Sequence, residues 1–183
     1  MNTPAHIALS LAVLGRRAGA GETAAILVGA LAPDAMLYAA HFDMQAGGAV
    51  TALTPVFNAL PVWSGVLVLG LALRRPWLWL LAASALLHIG FDLPLHAEDA
   101  RAHLWPLADW RFYSPVSFWD VDHHGRIAGI TEGVLVAVCL IVLWRGSRGA
   151  LSHGLLAALA AVYAVTFLHF WGHAFHDAHW AVW

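Results

Sequence analysis

Three residues in the middle of the chain, His88, Asp92 and His96, have the types and the spacing of metal ligands. Steps of four residues on an α-helix drift by about 40°, so the three side chains would form one stripe. Imidazole and carboxylate groups on one helical face commonly hold a divalent metal ion. Pro94 tends to kink or end a helix, which places His96 at or just past the helix end. The alternative interpretation is a polar stripe that lines a water-filled cavity.

The composition predicts that this stripe lies in a membrane protein. Of 183 residues, 61% are apolar and only 11% are charged, whereas about 25% of residues are charged in a typical soluble domain. Such a balance predicts an integral membrane protein whose surroundings are membrane lipids. The net charge of −2 argues against a nucleic-acid partner.

The hydropathy pattern predicts an all-α integral membrane protein with about six transmembrane or partly inserted helices in one domain, residues 1–183. The first predicted segment is shorter than the roughly 20 residues that span hydrocarbon, so we expect it to be tilted or partly inserted. A long outer loop, residues 96–126, follows the fourth segment, and its many aromatic residues predict an ordered cap rather than a disordered linker. The predicted segments are 3–14, 23–40, 57–73, 77–95, 127–144 and 150–171.

The distribution of charge predicts how these segments are oriented. Arginines occupy the turns after the first, third and fifth segments: Arg16, Arg17, Arg74, Arg75, Arg145 and Arg148. Carboxylates occupy the opposite connections: Asp43, Glu98, Asp99, Asp109, Asp120, Asp122 and Asp177. By the positive-inside rule the arginine turns are cytoplasmic. Both termini and the loop 96–126 are then predicted to face outward, which in a bacterial inner membrane is the periplasm.

This topology brings His6 and Asp34 to the same depth as His88 and Asp92. Taken alone, His6 or Asp34 is better explained as a solvated residue near a helix end than as a ligand. Together with the stripe they predict a metal site formed by His6, Asp34, His88, Asp92 and His96. Mixed imidazole and carboxylate ligands suit a divalent ion, zinc first and manganese as the alternative.

Other polar residues on the outer side have possible catalytic roles. Asp92, Asp99 or Glu98 could act as the base that orients a water molecule on a metal ion. Arg101 and Arg111 could hold an anionic substrate, because guanidinium groups match phosphate geometry. Pairing of these arginines with loop carboxylates is the alternative.

Several further polar residues have roles that the sequence leaves open. Glu132 is either a buried partner of the site or a structural carboxylate. The pair His123-His124 could reach the site or be solvated. The histidines at the C-terminal end could form a second metal site or an interfacial helix end anchored by tryptophans. They are His169, His173, His176 and His179, with Trp171, Trp180 and Trp183 beside them.

The short motifs of the chain resemble one known family. They are Thr-x2-His (3–6), Pro-Asp (33–34), Leu-His-x3-Asp (87–92), Leu-Trp-Pro (104–106) and Trp-Arg-Phe (110–112). With these motifs the chain resembles the LexA-regulated, inner-membrane metal-dependent hydrolases, most clearly over residues 1–115. The resemblance implies a small multi-helix membrane protein in which His6, Asp34, His88 and Asp92 are metal ligands. The chain departs from the family where a histidine commonly opens the third helix, because Asn58 stands there. His41 or His96 could substitute for it.

Three functions agree with these residues. The first is a membrane-embedded metal-dependent hydrolase at the periplasmic face. Its substrate would be a small molecule or a lipid, and the depth of the site favours a lipid or lipid-linked phosphoester. The second is a non-catalytic metal-binding protein. Metal transport fits less well, because the ionisable groups crowd at one side of the membrane. The third is a b-type haem protein in which His88 and His169 face each other from separate helices.

Overall fold

The structure is a computed structural model that describes residues 1–43, 48, 50–118, 120–176 and 178. Within these residues the chain is all-helical, with seven α-helices and no strand. Of the residues discussed above, Asp177, His179, Trp180 and Trp183 lie outside the described part. The α-helices are α1 (Thr3–Leu14), α2 (Ala20–Asp43), α3 (Thr54–Phe57), α4 (Leu60–Ala72), α5 (Pro76–Asp92), α6 (Gly125–Gly146) and α7 (Ala150–His176).

Four of these elements are long and apolar enough to cross a membrane, namely Ala20–Asp43, Pro76–Leu95, Gly125–Gly146 and Ala150–His176. A fifth span results if Thr51–Phe57 and Leu60–Ala72, which meet at an angle of 56°, form one broken span. The prediction of a multi-pass all-α membrane protein is confirmed to this extent. The first predicted segment forms a helix of only 12 residues, so six membrane-inserted helices stay a prediction.

Prolines explain where several elements start and stop. Pro4, Pro55, Pro61 and Pro76 stand in the first turn of their helices, where a missing N–H has no intrahelical partner to lose. Near the other end of α5, the helix finishes at Asp92 and a 3-10 turn, Leu93–Leu95, contains Pro94. His96 consequently has an extended backbone, as the position of Pro94 predicts.

Helices α2 and α5 pack together more extensively than any other pair among the described elements. The contact is close because Gly29 has no side chain: a Cβ there would lie 2.2 Å from the Leu81 carbonyl oxygen. One turn further along α5, the hydroxyl of Ser84 donates a 2.7 Å hydrogen bond to the Ile26 carbonyl. This interface sets the distance between Asp34 on α2 and His88 on α5.

Helix α1 packs between α2 and α6, and its start is held by Glu132 of α6. The Glu132 carboxylate accepts hydrogen bonds of 3.0 Å from both the backbone N–H and the side-chain amide of Asn2. It also accepts a 3.2 Å hydrogen bond from the Tyr163 hydroxyl of α7. Glu132 is therefore a structural carboxylate that orients the beginning of α1.

The segment between α5 and α6 is tied to the helix ends by hydrogen bonds. His103 donates from Nδ1 to the Asn58 carbonyl at 2.9 Å, and its own carbonyl accepts from the Leu60 N–H at 2.8 Å. Ser114 donates from its N–H to the His96 carbonyl at 3.0 Å. Burial lowers the pKa of His103, although its contact with the Asn58 carbonyl opposes the shift. That this segment faces outward stays a prediction.

The orientation in the membrane can be tested by labelling single cysteines with a membrane-impermeant maleimide in a Cys139→Ser background. We expect Ala108→Cys, at an exposed position of the predicted outer loop, to be labelled in cells with a permeable outer membrane. Ser147→Cys, beside Arg145 and Arg148, should be labelled only after the inner membrane is opened. The reverse pattern would invert the topology.

The close packing of α2 and α5 can be tested with Gly29→Ala. The added methyl group overlaps the Leu81 backbone, and such overpacking lowers the free energy of unfolding by about 1–3 kcal/mol. The midpoint of thermal unfolding in detergent should fall accordingly. Gly65→Ala is the matched control, because no atom lies within 4 Å of its added Cβ. Equal midpoints for the two variants would contradict the packing argument.

Candidate metal centre

Three side chains from three helices converge at the centre of the helix bundle: His6 of α1, Asp34 of α2 and His88 of α5. One potential ligand atom from each lies within 4.8 Å of those of the other two. The side chains of His6 and His88 are fully buried, and that of Asp34 is 13% exposed. The three residues therefore have the proximity and the chemistry of a metal-binding group.

The hydrogen bonds of His88 determine which of its nitrogens faces the carboxylates. Nδ1 lies 2.8 Å from the Ala30 carbonyl, and because a carbonyl can only accept, Nδ1 carries the hydrogen. Nε2 then points at Asp34 Oδ1, 3.4 Å away, and at Asp92 Oδ2, 3.3 Å away. It has no hydrogen-bond partner of acceptable geometry in the described structure.

This arrangement requires a cation. In a neutral ring with a hydrogen on Nδ1, Nε2 presents a lone pair, which would face two carboxylates in a buried site. Such a contact is repulsive, and buried charges need an opposite charge or a metal ion to compensate them. Either a second proton on His88 or a metal ion satisfies the geometry. An imidazole held by a backbone carbonyl through its other nitrogen is the usual arrangement of a metal-binding histidine.

His6 and Asp34 are held in place by contacts on their outer sides. The ring of His6 stacks on that of His88, with centroids 3.6 Å apart and an angle of 11° between the planes. Its Nε2 donates to Asp92 Oδ1 at 3.1 Å. The hydroxyl of Thr3 donates to Asp34 Oδ2 at 2.5 Å. Thr3 thereby fixes one oxygen of Asp34 and leaves the other to face His88.

Asp92 connects the three-residue group to the outer segment. Its Oδ1 accepts from the Met1 amino group at 2.5 Å, as well as from His6. Its Oδ2 lies near His88 and 3.5 Å from Nε2 of His96. All five predicted metal-site residues are therefore brought together, with Asp92 between His6, His88 and His96.

His96 is oriented by Asp99 in the same way as His88 is by Ala30. Nδ1 of His96 donates to Asp99 Oδ2 at 2.5 Å, which directs Nε2 towards Asp92. Burial alone would lower the pKa of His96, but the contacts with Asp92 and Asp99 outweigh it and raise that pKa. The hydrogen bond with His96 lowers the pKa of Asp99. Asp99 and His96 form a hydrogen-bonded pair that extends from the exposed Asp99 carboxylate to within 3.5 Å of Asp92.

The other predicted catalytic and substrate residues lie further out. Glu98 is exposed. Arg101 is half-buried and close enough to His96 and Asp99 to influence their pKa values. Arg111 is exposed and donates to the Ala100 carbonyl at 3.0 Å. Of the predicted catalytic residues, Asp92 contacts the three-residue group directly, and Asp99 is linked to Asp92 through His96.

Asn58 lies outside the cluster of the five predicted metal-site residues. It is buried, its side-chain amide donates to the Thr54 carbonyl at 3.2 Å, and its own carbonyl accepts from His103. His103, which the sequence does not single out, is buried and attaches the segment between α5 and α6 to Asn58. Its only sequence signal was its place in a histidine-rich loop. His41, the suggested substitute ligand, is exposed on α2.

The remaining histidines belong to other parts of the fold. His123 donates to Asp120 at 2.6 Å, and His124 caps α6 with a left-handed backbone, φ 62°. His169 is buried in α7, whereas His176 is exposed near the end of that helix. None of them belongs to the metal-binding group that the described residues contain.

Comparison with known proteins gives no relative from which to transfer a function. No family model, no curated protein and no solved structure matches the chain. The resemblance to the inner-membrane metal-dependent hydrolases therefore stays a prediction.

Metal binding can be measured by elemental analysis of the detergent-purified protein. We expect near-stoichiometric zinc or manganese in the wild type and its loss in His88→Ala and in Asp92→Ala, because each substitution removes a group that faces the cation. His41→Ala, which removes an exposed histidine of α2, should retain the metal. A wild-type protein that stays metal-free after reconstitution would show that a proton on His88 satisfies the site.

Proposed function

We propose that the protein is a metal-dependent hydrolase of the bacterial inner membrane, with its site on the periplasmic side. The observation that carries the proposal is the buried Nε2 of His88, which faces two carboxylates without a hydrogen-bond partner. His6, Asp34 and His88 would hold the ion, and Asp92 and His96 adjoin it. The donor set favours zinc, with manganese as the second choice.

A divalent ion in such a site supplies Lewis acidity and activates water at neutral pH. The residues of the chain would position the ion and transfer the proton. The stacked rings of His6 and His88 and the Thr3 hydroxyl hold the ligands in a fixed arrangement, which limits reorganisation during reaction. Asp92, which lies between the ligands and His96, can accept a proton or orient a water molecule.

The pair His96–Asp99 is suited to proton transfer between the site and the surface. Asp99 holds the Nδ1 hydrogen, so Nε2 of His96 is the atom that gains or loses a proton beside Asp92. Against the effect of burial, the contacts with Asp92 and Asp99 raise the pKa of His96, which favours the protonated form from which a general acid donates. Asp99 is thus a positioning residue, and exposed Glu98 is less suited to this role.

A phosphoester is the substrate class that the surroundings favour. Arg101 adds positive charge beside His96 and Asp99, and a guanidinium group pairs well with phosphate oxygens. Arg111 is a second cation on the same segment, although its contact with the Ala100 carbonyl engages one of its donors. The resemblance to metal-dependent hydrolases supports the same reaction type.

The geometry favours this proposal over a b-type haem protein. A haem iron would need open space in front of Nε2 of His88 for the porphyrin ring. The ring of His6 stacks against His88, and the carboxylates of Asp34 and Asp92 occupy the region in front of Nε2. A metal ion fits that space, whereas a porphyrin would displace these side chains.

The hydrolase proposal can be tested with p-nitrophenyl phosphate and the zinc- or manganese-loaded protein. We expect hydrolysis that a chelator abolishes and that added metal restores. His88→Ala should be inactive, and His96→Gln should lower kcat by about 10²-fold or more through loss of proton transfer. His41→Ala should retain full activity. A wild type that binds metal tightly but hydrolyses no phosphoester would instead support the non-catalytic metal-binding function.

A further inference from the structure

An apolar groove of about 520 Å³ runs along the outside of the bundle between α1, α2 and α7. We call it the Asp34 groove, because Asp34 lies in its wall. Its other walls include Ile7 of α1, Leu31 and Ala35 of α2, and Leu159 and Val162 of α7. The groove joins the surface of the protein to a residue of the candidate metal centre.

Asp34 is the member of the three-residue group that this groove exposes. Its side chain is 13% exposed, whereas those of His6 and His88 are fully buried. The Thr3 hydroxyl, also at the groove wall, holds Oδ2 of Asp34. A molecule in the groove would therefore lie against Asp34, the most exposed of the three residues of the candidate metal centre.

Two of the helices that border the groove have the character of membrane spans, so lipid is its expected surroundings. It is bordered by α2 and α7, which both have the length and composition of membrane spans. On α7 the flanking residues Leu155 and Val165 are 64% and 48% exposed, as expected of side chains that contact lipid. Apart from Asp34 and Thr3, the walls are almost entirely apolar. The hydrocarbon chain of a lipid is the occupant that fits such walls in such surroundings.

The wall of the groove along α2 contains two residues with polar groups, Asp34 and Tyr38, among apolar ones. From Leu31 to Tyr38 the groove wall follows α2 for two turns, or about 10 Å at 1.5 Å per residue. Asp34 lies in the middle of this stretch, and Tyr38, which is 57% exposed, lies at its outer end. Tyrosine is enriched at membrane interfaces because its ring is apolar and its hydroxyl is polar.

We propose that the Asp34 groove seats the hydrocarbon chain of the substrate, so that the enzyme acts on lipid phosphoesters. This inference rests on the proposed hydrolase function and adds the substrate class. The phosphoester lies at the metal centre and the chain lies between α2 and α7. In the reaction a water oxygen forms a bond to phosphorus and the ester P–O bond breaks. For a lipid phosphomonoester, the proton released from water goes to the leaving alkoxide, so that the products are inorganic phosphate and a lipid alcohol.

A second apolar groove, of about 430 Å³, lies between the end of α5 and α6. Its polar end is formed by Glu132, whose carboxylate is already engaged by Asn2 and Tyr163. It contains none of the three residues of the metal-binding group. The Asp34 groove is therefore the one that we assign to the substrate chain.

The test compares two phosphomonoesters in lipid nanodiscs that contain the zinc-loaded protein. Phosphatidic acid carries long chains, and p-nitrophenyl phosphate carries none. Ala35→Trp and Val162→Trp fill the groove at positions that are exposed rather than buried. We expect kcat/KM for phosphatidic acid to fall at least about tenfold, because remote binding energy is lost. Activity on p-nitrophenyl phosphate and zinc content should stay within about twofold of wild type, since neither uses the groove.

Val165→Trp is the matched control, because Val165 lies on the exposed side of α7 outside the groove. It should leave both activities unchanged. Equal losses for both substrates in the groove variants, or no loss for either, would overturn the inference while leaving the hydrolase function in place.

A binding measurement separates failure of the groove from failure of the hydrolase proposal. Phosphatidic acid with a photoreactive diazirine in its acyl chain is cross-linked to the wild type, and the labelled residues are mapped. We expect labels at Ile7, Leu31 and Val162 that Ala35→Trp removes. Labels spread evenly over the exposed face of α7 would overturn the groove assignment. Specific labels combined with no hydrolysis of either phosphoester would refute the hydrolase proposal and leave a lipid-binding groove.

Discussion

The imidazole of His88 lies between two carboxylates inside an apolar helix bundle, and much of the structure depends on how that charge is compensated. Ionisable groups are costly at membrane depth, so they are kept only where partners satisfy them. The Ala30 carbonyl takes one nitrogen of His88, and Asp34 and Asp92 surround the other. A cation at that point turns an unfavourable cluster into a stable one. The positions of α1, α2 and the end of α5 all follow from the need to hold these groups together.

Small residues allow the helices that carry Asp34 and His88 to pack closely. The contact of α2 with α5 at Gly29 is too close for any side chain, and Ser84 adds a hydrogen bond across it. In a membrane, helices associate through close packing and interhelical hydrogen bonds rather than through the hydrophobic effect. Helix α1, too short to span a membrane by itself, is held instead by the contacts of Asn2 with Glu132. Because α1, α2 and α5 are held against one another in this way, His6, Asp34 and His88 are held in a fixed arrangement.

The segment after α5 connects the buried site to the surface. Pro94 ends the helical geometry, so His96 turns back towards Asp92 instead of continuing along the helix stripe. Asp99 then fixes the tautomer of His96, and His103 attaches the segment to Asn58. The pair His96–Asp99 lies on this side of the candidate centre, and the apolar groove at Asp34 lies beside another of its residues. Under the proposed function, water and a lipid chain would approach by these separate sides.

The sequence by itself determined the all-helical membrane class, because apolar runs of this length have few alternatives in a bilayer. Its motifs also singled out the five residues that the structure brings together, since metal-ligating residue types are rare in apolar segments. Only the tertiary structure decided how they meet. The stacking of His6 on His88, the role of Ala30 and the engagement of Glu132 by Asn2 depend on contacts between helices far apart in sequence. The groove at Asp34 likewise arises where three helices fail to close against one another, and no local pattern encodes that gap.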